Sequence, residues 1–350
     1  DGLVQAKVQT ANRVAASIEE KVEHVSRILQ NRWDASPIDE FAATDSLTLL
    51  DELAANLHDP AWRERLQRSF LSVFTRHQPQ YRPEACLVTS GSSRTALGLL
   101  GFHCGITDVV FPDLSWSYEQ CFPNTHAVPL TDDLALDVDA MIAKLAGLCH
   151  ADPAWPQRGA IAINNPHNAT GRIFAEEDIR RLMTWCLERG IYVVDDLAYQ
   201  NVAPLDSLPL IKTARQVADD LVRDGLLDER QTGRVISVHS MSKTDCLAGA
   251  RLSVVEIRPA ELRERFRALN DLIEPNLAAI FIVYLFYRGP LEAARAYWRL
   301  RNVIFKERAE ALLSACANLP AERNPFGLTI LPPTGSMYPL LQVKRLPNGL

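Results

Sequence analysis

The sequence lacks most of what would tie a chain to a membrane, a metal or a nucleic acid. No apolar run approaches the roughly 18 residues that a membrane-spanning helix needs. Seven cysteines are scattered along the chain, an odd number with no CxxC pair. A disulfide framework is therefore not expected, and free thiols in a reducing cytosol fit better. Histidines and cysteines form no cluster with metal-ligand spacing. There is no basic excess: the net charge is -6, which gives neither nucleic acid nor an anionic membrane a reason to bind. Internal repeats and low-complexity tracts are absent. The first residues, Asp1-Gly2-Leu3, show neither Met nor a basic-then-apolar signal pattern. The sequence is expected to begin inside a longer one.

What is present is globular. Across 350 residues 47% are hydrophobic and 23% charged, enough for one large core with a smaller domain beside it. Residues 1–75 read as mainly helical, with Val14, Ile18, Val22, Val25 and Ile28 at helical spacing over 11–29. A loop is expected over 35–45 and a helix over 47–57. From about residue 84, short apolar β-branched runs at 85–89, 108–111, 160–163, 191–194, 235–238 and 252–257 alternate with helix-length segments such as 175–189, which ends before Gly190. Alternation of this kind predicts an α/β fold: a large domain with a mostly parallel sheet flanked by helices. A long helix is expected from 291 to about 319, then strands at 328–331 and 338–343. These open a smaller α+β domain that this sequence leaves incomplete. The expected divisions are 1–75, 76–290 and 291–350.

Four segments fall at the carboxyl ends of expected strands, where open α/β sheets bind ligands. In Thr89-Ser90-Gly91-Ser92-Ser93-Arg94 a strand turns into a helix; the competing reading is an ordinary helix cap. Asn165-Pro166-His167-Asn168-Ala169-Thr170-Gly171 is rich in turn residues and alone reads as a loop. Asp195-Asp196-Leu197-Ala198-Tyr199 places carboxylates directly after an apolar strand, where burial is costly without a partner. Ser240-Met241-Ser242-Lys243, continuing to Arg251, sets a lysine among small polar residues. Most lysines are solvated surface groups. One held near other cations in a partly dry site becomes a nucleophile for carbonyls.

Taken together and in this order, the four segments resemble the fold-type I pyridoxal-phosphate-dependent aminotransferases of class I/II. The likeness spans residues 85 to 255 or so, with Asp196…Tyr199 and Ser240…Lys243…Arg251 at the family's spacing. The resemblance implies an enzyme, a transaminase moving an amino group between an amino acid and a 2-oxo acid through a Schiff base on Lys243. Lys243, Asp196 and Tyr199 would be catalytic: Lys243 as the base that shuttles a proton, Asp196 against the pyridine nitrogen, Tyr199 with Asn168 on the ring oxygen. Arg251 and Ser240 would grip the phosphate, with Ser92, Ser93 and Arg94 completing its cup. Trp116, in Pro112-Asp113-Leu114-Ser115-Trp116-Ser117-Tyr118, would stack on the ring; the competing reading is a core tryptophan.

Two departures stand out. Ala169 replaces the family's second proline, which removes a φ restraint, and the loop is expected to tolerate it. The family's carboxylate-binding arginine belongs to the C-terminal small domain and has no counterpart before Leu350. Thr334-Gly335-Ser336-Met337-Tyr338 resembles the opening strand of that domain. The resemblance also implies a homodimer with shared active sites; cysteine usage points to the cytoplasm, and charge and hydropathy to no nucleic-acid or membrane partner. Tyr81 is a candidate for donation to a partner's site by chemistry alone, against an ordinary surface tyrosine. Two other functions compete: a different reaction on the same cofactor, such as β-elimination or decarboxylation, and the effector domain of a transcription regulator. Residues 1–75 carry no basic stripe for the latter.

Overall fold

A computed structural model describes residues 39–344; the helix expected over 11–29 lies outside them. Strands form wherever the apolar runs predict them: β1 (Cys86–Ser90), β2 (Asp108–Pro112), β4 (Gly159–Ile163), β5 (Tyr192–Asp196), β6 (Val235–Ser240) and β7 (Leu252–Ile257). The runs are continuous because successive residues enter two cores. Val109 and Val110, or Val193 and Val194, point to opposite faces of the sheet and are fully buried on each. One face packs Met141, Leu145, Leu182, Met183 and Val217 from the helices Val138–Ala151, Glu176–Glu188 and Ala214–Arg223. The other packs Leu97, Leu100, Leu262 and Phe266.

A further strand, β3 (Asn124–Val128), pairs in parallel with β2 at the sheet edge. Its Asn-Thr-His-Ala-Val sequence is mostly half-buried or exposed, so it shows no apolar run. The full order is β1-β7-β6-β5-β4-β2-β3. Only β7 runs against its neighbours. The ends of β1, β4, β5 and β6 and the beginning of β7 therefore share one edge.

The chain divides into two compact units. The one holding the sheet comprises, among the described residues, Gln78–Ala279 and 296–344, with a small antiparallel sheet of β8 (Thr329–Leu331) and β9 (Leu340–Gln342). The other contains, among the described residues, 39–77 with Ile280–Arg295. Its core is aromatic: Phe41, Trp62, Phe70, Phe74, Tyr284 and Tyr287 are all nearly inaccessible. Tyr284 donates to Asp39 Oδ1 at 2.9 Å, and His77 Nε2 meets the Gly289 carbonyl at 2.8 Å. The Asp45 carboxylate caps the helix Ser46–Ala55. Among the described residues no single helix is long and apolar enough to cross a membrane. Leu277–Tyr287 and Leu291–Ala317 pass such a test only as a pair bent by 102°.

Candidate active site

The shared edge of the sheet holds a cavity of about 290 Å³ lined by Ser92, Ser93, Arg94, Trp116, Asn164, Asn168, Asp196, Ala198, Tyr199, Ser240, Ser242, Lys243 and Arg251. Every residue that the sequence singles out for cofactor binding lines it. The topology explains the assembly. Asn164, Asp196 and Ser240 stand at or just beyond the ends of β4, β5 and β6. Arg251 precedes β7, and because β7 is reversed, its beginning reaches the same edge. There the Gly91 N–H donates to the Arg251 carbonyl at 2.7 Å.

At one end of the cavity, Arg251 Nη2 donates to the Gly91 carbonyl (2.9 Å) and to Ser92 Oγ (3.1 Å). Ser92 makes no side-chain cap to the helix it precedes, so the ordinary-cap reading does not describe it. Both residues hold left-handed φ angles, 63° at Ser92 and 51° at Arg251. Such strain costs on the order of 1–3 kcal/mol and clusters where a site is over-determined. Ser242 Oγ is buried here with no hydrogen-bond partner. Arg94 lies over the Trp116 ring, 5.3 Å from its centroid.

At the other end, Asp196 is 3% exposed. Its Oδ2 accepts from the Tyr118 hydroxyl at 3.1 Å and its Oδ1 from the Ala198 amide at 3.2 Å. Burial raises its carboxyl to about 6, against the pull of those two donors. Asn164 links the strand ends: Nδ2 donates to the Asp196 carbonyl at 2.8 Å and Oδ1 accepts the Asn168 N–H at 2.8 Å. Asn168 Nδ2 in turn donates to the Tyr199 hydroxyl at 3.2 Å. Lys243 lines the same cavity, half-buried, with no salt bridge found for it among the described residues.

The sequence alone gives no role to Tyr118, Asn164 or Ser242. Asn164 and Ser242 adjoin singled-out residues at strand ends, a signal that was available. Tyr118 closes the same loop as Trp116, but only the chain's path sets its hydroxyl against Asp196. Tyr81 is not a surface tyrosine. It is 4% exposed, and burial first, then the nearby Asp195 and Glu256 charges, hold its phenol well above the ordinary range. Ala169 uses what a proline would lack: its N–H donates to the Leu114 carbonyl at 2.9 Å, tying the Asn168 loop to the Trp116 loop.

The family described as "Aminotransferase class I and II" matches residues 50–346, and the chain belongs to it. Pyridoxal phosphate is the cofactor of that family. Among curated relatives, a probable aspartate/prephenate aminotransferase of Aquifex aeolicus is 24% identical over 51% of this chain and 41% of its own length. An aspartate aminotransferase of Geobacillus stearothermophilus is 23% identical over 78% of this chain and 64% of its own. The chain thus spans less than two thirds of either relative. Among solved structures, the Thermus thermophilus aspartate aminotransferase with maleate superposes with a TM-score of 0.62 at 18% identity, covering 78% of this chain and 66% of that one. A PLP-bound C-S lyase from Staphylococcus hominis superposes at 0.57 with 16% identity, covering 76% and 65%. At such identities the likeness is one of fold.

The residues present fit the family's cofactor. Arg251, the hydroxyls of Ser92, Ser93 and Ser240, and the unpartnered Ser242 Oγ make a donor set suited to a phosphate. Asp196 offers a carboxylate to a protonated ring nitrogen. Asn168 and Tyr199 offer donors to a ring oxygen, and Lys243 an amine to an aldehyde.

Proposed function

We propose that the chain is a pyridoxal-phosphate-dependent aminotransferase that moves an amino group between an amino acid and a 2-oxo acid, with Lys243 Nζ attaching the cofactor's aldehyde covalently. The observation that carries this reading is the division of one cavity. Arg251 and Ser92 form one hydrogen-bonded set suited to an anion, Asp196, Tyr199 and Asn168 supply the groups suited to a ring, and Lys243 lines the same cavity. When bound, pyridoxal phosphate supplies an aldehyde that captures amines and a pyridine ring that accepts the electron pair left at Cα. Asp196 keeps a proton on the ring nitrogen and is held in place by Tyr118 and Ala198. Tyr199 and Asn168 donate to the ring oxygen. Arg251, Ser92, Ser93, Ser240 and Arg94 grip the phosphate. Trp116 fixes the ring plane, and with it which bond to Cα is aligned for cleavage. Lys243 Nζ would take and return the proton at the substrate's Cα.

The partners proposed are a small amino acid and a 2-oxo acid, with a second copy of the chain completing a homodimer as in the family. Seven free cysteines fit a cytoplasmic setting. Every cavity residue falls between 92 and 251, consistent with a cofactor domain over 76–290. A second reading keeps the cofactor and changes the bond broken, and the shared fold with a C-S lyase favours it over a non-enzymatic role.

Borohydride treatment of the protein with pyridoxal phosphate should fix the cofactor on the peptide carrying Lys243, and Lys243→Ala should abolish the fixation. Label on another lysine would sink the assignment. An amino-acid panel then separates the two readings. Release of the matching oxo acid with the amino group retained on the protein marks transamination. Pyruvate with free ammonia or sulfide marks elimination.

A further inference from the structure

The link between β8 and β9 is built into the loop that carries Asn168. The N–H groups of Thr334 and Gly335 both donate to the Gly171 carbonyl, at 2.8 and 2.9 Å, and the Ile173 N–H donates to Thr334 Oγ1 at 3.1 Å. The Ser336 N–H donates to the Val202 carbonyl at 2.7 Å, and Ser336 is fully buried. The two backbones approach so closely that glycine is required on each. A Cβ on Gly335 would lie 2.6 Å from Pro166 Cβ, and one on Gly171 (φ 65°) 2.5 Å from the Tyr338 carbonyl oxygen. The result is a fixed position for Tyr338. Its hydroxyl is 3.0 Å from that of Tyr199, and the two rings meet edge to face with centroids 5.6 Å apart. Tyr338 does not line the cavity; it stands behind a residue that does.

We propose that Tyr338 is a positioning residue that acts through Tyr199 to strengthen the hydrogen bond reaching the cofactor's ring oxygen. This rests on the function proposed above. A phenol has one proton to donate and two lone pairs. In the structure Tyr199 donates to Tyr338. An anionic ring oxygen on the cavity side is a stronger acceptor than a neutral phenol, so Tyr199's proton turns towards it. Tyr338, whose own proton rotates freely, then donates back into the Tyr199 oxygen, alongside the Asn168 amide. Donation into that oxygen polarises the Tyr199 O–H and strengthens its onward bond. Burial, followed by the Tyr338 bond, raises the Tyr199 phenol above its ordinary range. Tyr199 therefore stays protonated and able to donate.

The readout is the pH midpoint of the bound cofactor's visible absorbance in the loaded protein. That midpoint reports the proton shared between Lys243 Nζ and the ring oxygen. Tyr338→Phe keeps the ring contact and removes one hydroxyl. A weaker donor at the ring oxygen leaves more negative charge to hold the proton. The midpoint should rise by about half a pH unit, the size of one modest hydrogen bond, and the cofactor's dissociation constant should rise a few-fold. In a Tyr199→Phe background the same change should move neither quantity. A midpoint unmoved by Tyr338→Phe overturns the proposal, as does a shift that persists without the Tyr199 hydroxyl. A parent protein that takes up no cofactor would instead overturn the function on which the proposal rests, and the two failures are distinct.

Discussion

Asp195 and Asp196 are neighbours in sequence with opposite surroundings, because successive residues of β5 face opposite sides of the sheet. Asp196 opens on the cavity, whereas Asp195 is buried near the first amides of the helix Ala214–Arg223. Burial raises Asp195 to about 7 and Asp196 to about 6, where an exposed aspartate titrates near 3.8. For Asp196 this has a consequence in binding. It must lose its proton before it can pair with a protonated ring nitrogen, so cofactor affinity should weaken as pH falls below about 6. One proton taken up on release corresponds to about tenfold in affinity per pH unit. A phosphate group, which gains its own proton near pH 6, adds to the slope. The diagnostic is therefore a difference. Asp196→Asn should bind pyridoxal phosphate more weakly at pH 8, and its affinity should fall with about one proton less of slope between pH 5 and 6. Fluorescence titrations across that range measure it. Equal slopes in parent and variant would remove Asp196 from the ring nitrogen.

Among the elements, glycines with the same backbone preference carry different weight. Gly171 and Gly190 both hold left-handed angles, 65° and 70°. A Cβ on Gly190 would meet only the Arg234 guanidinium, no nearer than 3.6 Å, whereas one on Gly171 would strike backbone of the Tyr338 segment at 2.5 Å. Gly190→Ala should therefore cost about 1 kcal/mol of stability, the left-handed penalty alone. Gly171→Ala should cost roughly 1–3 kcal/mol more from overpacking, and should also weaken cofactor binding by displacing Asn168 and Tyr199. Urea denaturation with a cofactor titration checks both, and equal costs would refute the close docking. That docking was not legible in the sequence, and the reason is general. Asn168, Asp196, Lys243 and Arg251 could be read because they sit at fixed offsets around apolar runs, and β7 has the boundaries its run predicts. Edge strand β3 could not, since partial exposure erases the apolar signal. The helix Leu277–Tyr287 is apolar all round and has no period to read. Tyr118 and Tyr338 lie 78 and 139 residues from the side chains they bond, Asp196 and Tyr199, a separation that local spacing cannot bridge.

For the molecule as a whole, buried groups set the acid response, and they oppose one another. Surface ion pairs are worth about 0–1 kcal/mol each, and carboxylates held low by donors or cations, such as Asp108 and Asp220, lose their contribution only below about 3.8. Burial depresses His167 to about 4 and His239 to about 3, from an ordinary 6.5. The unfolded chain binds those two protons first, so their contribution is complete above pH 6.5 and is lost as pH falls towards 4 and 3. Asp195 and Asp196 act the other way. The folded chain holds their protons up to about 7 and 6, so their contribution is complete below 3.8 and is lost as pH rises. Between about pH 4 and 6 two protons favour each state, and these four groups cancel. Their joint contribution should accordingly be level across that window, and the slope the cofactor-free protein keeps there belongs to other groups, such as His77 and His126, which burial also lowers, and Asp219, which it raises. Asp195→Asn removes one proton from the folded side and leaves the unfolded chain binding one more. Relative to its parent, its stability should then climb with pH by about 1.4 kcal/mol per unit, read from urea midpoints of both proteins at pH 4.5, 5 and 5.5. A variant with the same slope as its parent would mean that Asp195 is already ionised in the folded chain, and that the amides at the start of the helix Ala214–Arg223 outweigh its burial.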